Sequence, residues 1–229
     1  MTPIFSWTPM MRPILAFSDF LEKICAVFAR IGAWLILPLI LIIVYDVVTR
    51  KFVFIQQLVM NSWLYDYISP TKLQEMEWHL HAVIFLLAYA LAYFVGAHVR
   101  VDIWREKRSE RTRGWVELLA ILLLAMPFCG ILIYHSWLFT VKAFLNGEGS
   151  PSMTGLSNRW IIKSFLFFGT TLLFSALLST LLRLTVYLFG PKAVRPEALR
   201  RLGMVALPSS PSDADQTPDR NDESRRGIA

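Results

Sequence analysis

Ten residues, "LQEMEWHLHA" from Leu73 to Ala82, gather two glutamates, two histidines and a tryptophan just ahead of a long apolar run. Glu75 and His79 are four apart, as are Glu77 and His81, so each pair shares a helix face. Carboxylate and imidazole at that spacing are the raw material of a metal site or an acid–base pair. The two pairs point in nearly opposite directions, because two residues turn a helix by about 200°. One metal would therefore meet one pair at most. There is no H-E-x-x-H and no third ligand close by, so no metal site is expected. A haem is the better rival: His79 or His81 at one end of a second span and His135 at the same level of a third could flank an iron, as in four-helix membrane cytochromes. The same histidines, beside Trp78 and Trp137, also fit an aromatic belt at the bilayer edge. Cys25 and Cys129 have no C-x-x-C partner, and neither a disulfide nor a zinc site is expected.

The elements that must carry these residues belong to a membrane. Hydrophobic residues make up 55% of the 229-residue chain and charged residues 17%, with mean hydropathy +0.48. A helix crossing the hydrocarbon core needs about 20 mostly apolar residues. Four stretches qualify, at about 31–48, 78–97, 115–140 and 164–187. This predicts an all-α membrane protein of four transmembrane helices. Residues 1–30 precede them as an N-terminal cytoplasmic or interfacial segment, 31–190 form the transmembrane domain, and 191–229 form a basic, then disordered, cytoplasmic tail. The first apolar run starts too late for a cleaved signal peptide. Pro38 and Pro127, inside spans one and three, predict kinks.

Charge placement orients the spans. Seventeen Lys and Arg lie before span one, between spans two and three, or from Arg183 onward, against six in the other two loops. The positive-inside rule puts both termini and the loop "HVRVDIWREKRSERTRG" in the cytoplasm. The first outward loop, with "FVFIQQLVMNSWLYDYISP", is too aromatic for water and predicts an interfacial helix or a protein contact. The second, "NGEGSPSMTGLSN", predicts ordered turns.

The middles of the spans contain no Asp, Glu, Lys or Arg, whereas a transporter that binds its own cargo places polar groups there. A stand-alone exporter is disfavoured on that ground. Small residues recur every four positions, at Ala88, Ala92 and Gly96 and at Thr171, Ser175 and Ser179. They are expected to let helices pack closely, within this bundle or against a partner.

The stretch also resembles a specific family. "LQEMEWHLHAVIFLLAYAL" followed by "HVRVDIW" is similar to the small membrane subunit of the tripartite ATP-independent periplasmic (TRAP) transporters, DctQ-like. The residues that carry the likeness are Glu75, Glu77, Trp78 and His79, then His98, Val99, Arg100, Val101 and Asp102, then Glu148, Ser150, Arg159, Trp160 and Lys163. It extends from about Leu15 to Phe189 and is nearest the branch associated with mannitol, chloroaromatic or 2-oxo-acid uptake. The first outward loop is longer than usual for the family.

The resemblance implies a non-enzymatic scaffold in the bacterial inner membrane. Its partners would be a large DctM-like membrane subunit that carries cargo and sodium, and a periplasmic binding protein that delivers an organic carboxylate. Membrane lipids complete the list, and no nucleic acid and no cofactor in this chain are expected. The competing expectation is a haem-bearing membrane anchor of a respiratory enzyme. Glu75, Glu77 and His79 are expected to pair with loop residues such as Arg50 or with the large subunit. His98, Arg100 and Asp102 are expected either to meet lipid headgroups or, through an Arg100–Asp102 pair, to fix the turn after span two.

Overall fold

The computed structural model describes residues 8–63, 65–97, 109–192 and 194–206. His98, Arg100 and Asp102 fall outside them. Among the described residues the chain is helical without strands, and four helical stretches are long and apolar enough to cross a membrane: Met11–Lys51, Pro70–Phe94, Glu110–Leu145 and Trp160–Phe189.

The first stretch is far longer than the apolar run alone predicts. Helix α1 (Thr8–Trp34) continues into α2 (Ile36–Lys51) through the single residue Leu35, φ −69° and ψ −12°. At 1.5 Å per residue, Met11–Lys51 would extend about 60 Å. Leu15, Ser18, Cys25 and Ala29 form the buried stripe of α1 at helical spacing, packed against α5 (Pro70–Phe94) and α8 (Trp160–Phe189). The helix is interrupted at Leu35. Pro38 supplies the cause: it has no amide for the Trp34 carbonyl one turn back, and its ring crowds that carbonyl.

After α2 come two short helices, α3 (Val53–Met60) and α4 (Tyr65–Ile68), in which no residue is buried. Helix α5 starts at Pro70, after Ser69 in extended conformation. Proline fits a first helical position because its missing amide would be unsatisfied there anyway. This start lies two turns ahead of the predicted span, so Glu75 to His79 sit inside the helix.

The third stretch is α6 (Glu110–Ala120), a π-helical turn (Ile121–Ala125) and α7 (Met126–Leu145). Pro127 withholds the amide that the Leu123 carbonyl would accept, and the π turn absorbs the mismatch. Helix α8 is the hub, packed against α1, α5, α6, α7 and α9 (Arg195–Ala206). Its approach to α5 is so close at Gly169 that an added Cβ would lie 2.8 Å from Leu86 Cβ.

Two packing expectations need correction. Gly96 lies just past the end of α5, which stops at Phe94. It has φ +67° and, with Ala97, donates backwards to Tyr93 and Ala92 carbonyls, the left-handed cap that ends α5. The buried stripe of α5 is Leu73, Val83, Leu87, Ala90 and Phe94, with Ala88 and Ala92 on its half-buried flank. Of the three α8 residues, only Ser179 bonds across to another helix among the described residues. Thr171 and Ser175 donate instead to their own helix, at Phe167 and Thr171.

Candidate functional site: a latched loop and a buried arginine

Helices α7 and α8 are joined at one end of the bundle by residues 146–159. Gly147 (φ +56°) ends α7 in a left-handed cap, with its amide and that of Glu148 bonded back to Phe144 and Ala143. The loop closes on itself where the Ser150 amide donates to the Leu156 carbonyl and the Arg159 amide to the Glu148 carbonyl, both at 3.0 Å. Asn158 adopts φ +60° just before α8.

Glu75 fills the mouth of this loop. Its Oε2 accepts the Leu156 amide at 2.6 Å, and its Oε1 accepts the Ser150 hydroxyl. Ser150 Oγ in turn accepts the Ser152 amide at 3.1 Å. A charged acceptor strengthens such bonds and satisfies loop donors that burial would otherwise orphan. The space is full: a Cβ on Gly155 would lie 2.2 Å from Ser150 Oγ and 2.8 Å from Glu75 Oε1. An alanine there would have to push the Ser150 side chain and the Glu75 carboxylate aside.

Flanking contacts brace the latch. Lys163 pairs with Glu148 and lies 3.8 Å from the Phe139 ring centroid. The Arg159 guanidinium is 5.6 Å from the Trp78 ring, and Trp160 packs edge-on to Phe144. The two quoted motifs, one around Glu75 and Trp78 and one from Glu148 to Trp160, thus meet in space.

The remaining members of the opening cluster are not drawn together. His79 Nδ1 and His81 Nδ1 face the carbonyls of Glu75 and Glu77 one turn back. Glu77 makes no side-chain bond among the described residues. Arg50 binds Asp46 at 2.9 Å and reaches the Pro70 carbonyl, not Glu75 or Glu77. His79 and His135 line different clefts, one against the latched loop and one between α7 and α8. Among the described residues no group of three His, Cys, Asp or Glu is placed to hold a metal. Cys25 and Cys129 are free and buried.

A second polar cluster lies at the opposite end, and sequence reasoning missed it. Arg183, 4% exposed, sits in α8 with four bonds from its guanidinium. Nε donates to Ser18 Oγ (2.6 Å) and Nη1 to the Arg201 carbonyl (2.8 Å). Nη2 serves both Asp19 (3.1 Å) and Glu22. Ser18 and Ser179 bond each other, and Arg201 ties Asp19 to Glu197. The cluster joins α1, α8 and α9. The available signal was Arg183 itself, an ionisable residue inside an apolar run, which demands a partner.

Neither cluster presents a nucleophile beside a base. Both clamp helices or loops, and with four helical stretches long and apolar enough to cross a bilayer the molecule is a multi-pass helical membrane protein. Residues 39–186, well over half of the chain, match the family described as tripartite ATP-independent periplasmic transporters, DctQ component. The chain belongs to that family, a component of tripartite transporters. Among curated proteins and among solved structures nothing matches. The latch lies wholly within the matched residues, whereas Ser18, Asp19, Glu22 and Arg201 of the arginine cluster lie outside them.

Proposed function

We propose that this chain is the non-enzymatic small membrane subunit of a sodium-coupled transporter in a bacterial inner membrane. It scaffolds a large DctM-like subunit that moves an organic carboxylate, of 2-oxo-acid, mannitol or chloroaromatic type, delivered by a periplasmic binding protein. The family match carries the reading. The charge-poor span centres support it, because they leave this chain no path of its own for cargo or sodium. No observation favours the haem reading, since His79 and His135 face separate clefts.

Orientation follows from where the cations gather. The starts of α1 and α6 and the turn into α9 share one end of the bundle: Met11 lies against Gly190, and Gly114 against Tyr187 and Leu188. By the positive-inside rule that end is cytoplasmic, and the latched loop is periplasmic. Its tip, with Met153 fully exposed, then faces the compartment of the binding protein, and Glu75 is the residue that holds it in shape.

Purification of a tagged chain from native membranes in mild detergent, with the co-eluting chains identified by mass spectrometry, tests this. The expected result is a stoichiometric, very hydrophobic membrane partner. A soluble redox subunit, or a Soret band in the purified sample, would overturn it.

A further inference from the structure

Two cations of α1 have no counterpart in the fold. Lys23 and Arg30 are exposed, and neither side chain makes a hydrogen bond or an ion pair among the described residues. The acids nearest in sequence, Asp19 and Glu22, are taken by Arg183 and Arg201. Phe20, Lys23, Val27, Arg30 and Trp34 follow one another at steps of three and four and are all exposed. The cations therefore share one outward stripe of the helix with apolar residues.

Their depth makes the arrangement costly. Lys163 and Arg183 are twenty residues apart on α8 with no charge between them. That is a rise of about 30 Å, the thickness of the hydrocarbon core of a bilayer. Helix α1 runs antiparallel beside this stretch. Ser18 Oγ is 2.9 Å from Ser179 Oγ, Cys25 Sγ is 3.6 Å from the Leu172 carbonyl, and the Phe28 and Phe168 rings are 4.8 Å apart. Leu172 is near the middle of the charge-free stretch, so Lys23, two residues from Cys25, sits close to the bilayer midplane. Arg30 lies two turns further on, in the loop-side leaflet. Headgroups are half the core away from Lys23, about 15 Å, beyond the reach of one lysine side chain.

Charged groups at such depth turn to a protein or a water-filled cavity rather than to lipid. A second copy packed through the same stripe would set cation against cation. The complement is a helix that carries an acid. We propose that the outward stripe of α1, from Phe20 to Trp34, is the seam for a membrane helix of another chain. That helix presents a carboxylate to Lys23 near the midplane and a second acceptor to Arg30 two turns on. The stripe lies outside the matched residues 39–186, so the family match assigns it nothing. The inference rests on the proposed function and deepens it, by naming the face turned to the large membrane subunit and the chemistry that subunit must supply.

The test places a benzophenone amino acid at Val27, between the two cations, or at Phe128 on the exposed face of α7, in the tagged full chain in its native membranes. Trp34 carries the probe if position 27 disturbs assembly. Adducts formed by light are mapped by mass spectrometry. The α1 probe is expected to join a co-purifying membrane chain at a segment with an Asp or Glu within two turns of the adduct. Lys23→Met should lower the ratio of that partner to the tagged chain by about tenfold or more, because it strands the partner's carboxylate, and Lys23→Arg should keep the ratio. A lysine that merely faced lipid predicts otherwise, since methionine suits the bilayer better and would leave the ratio unchanged. Adducts from α1 with lipid alone, with a second copy or with another part of the same chain would overturn the proposal. So would a partner segment without an acid, or an unchanged ratio in the Lys23→Met protein. The adduct map alone decides the matter if a Lys23 variant fails to assemble. A purification with no membrane partner would sink the functional reading together with this one, whereas a partner captured only from Phe128 would sink this one alone.

Discussion

The two ends of the bundle are held by polar clusters of opposite logic. At the loop end a carboxylate, Glu75, accepts bonds from a loop that would otherwise have to satisfy its own donors. At the terminal end a cation, Arg183 of α8, donates to groups on two other helices, α1 and α9. The first shapes a surface, while the second joins helices. The difference teaches where damage should show: loss of the latch should alter one loop, and loss of the arginine should loosen the whole bundle.

The sharpest way to break that contrast is Arg183→Met. Removing one partner of a buried ion pair costs about 3–5 kcal/mol. Asp19 and Glu22 keep partial access to solvent, so the low end of that range is expected. The readout is a large fall in the thermal unfolding midpoint in detergent, together with protease sensitivity in both α1 and α9. Glu75→Ala comes next. It removes a charged acceptor from two donors and should cost about 2 kcal/mol. Limited proteolysis should localise the damage to 146–159, and Glu75→Gln should recover part of the loss. Cleavage spread over all the spans would dissolve the distinction between the two ends.

Gly155→Ala tests the same loop by volume rather than charge. Overpacking there should cost about 1–2 kcal/mol, and the loss should shrink when measured against a Ser150→Gly background, which lacks the two closest atoms and leaves only Glu75 Oε1, at 2.8 Å. Lys163→Met should lower the midpoint by the equivalent of at most about 1 kcal/mol, because Glu148 is more than a third exposed. Glu77→Gln should change the unfolding midpoint least, within about 0.5 kcal/mol, since its carboxylate binds nothing among the described residues.

How much of this was legible in the sequence varied with distance along the chain. The four spans announced themselves through their apolar runs, and Pro38 and Pro127 correctly marked the irregular points. The two halves of the latch were each visible as short motifs. Their pairing was not, because Glu75 and Ser150 are 75 residues apart and nothing local in either motif names the other. The long first helix was hidden because Asp19, Glu22, Lys23 and Arg30 break the apolar run that marks a span. In the fold two of these charges, Asp19 and Glu22, are paired with Arg183 and Arg201. Gly96 was misplaced for a different reason: a small residue at a four-residue step suits both a packing seam and a helix cap, and only the positive φ separates them.

The position of α8 has a consequence for synthesis. Of the four spans among the described residues it is the last in chain order, yet α1, α5 and α7 all pack on it. Ser18 is bonded to Arg183, 165 residues later. Until that segment is inserted, α1 and α2 can pack on α5, but Ser18, Asp19 and Glu22 still wait for their cation. The arginine cluster can close only after this span arrives, so truncation before Arg183 should leave a product more open to membrane quality-control proteases than the full chain.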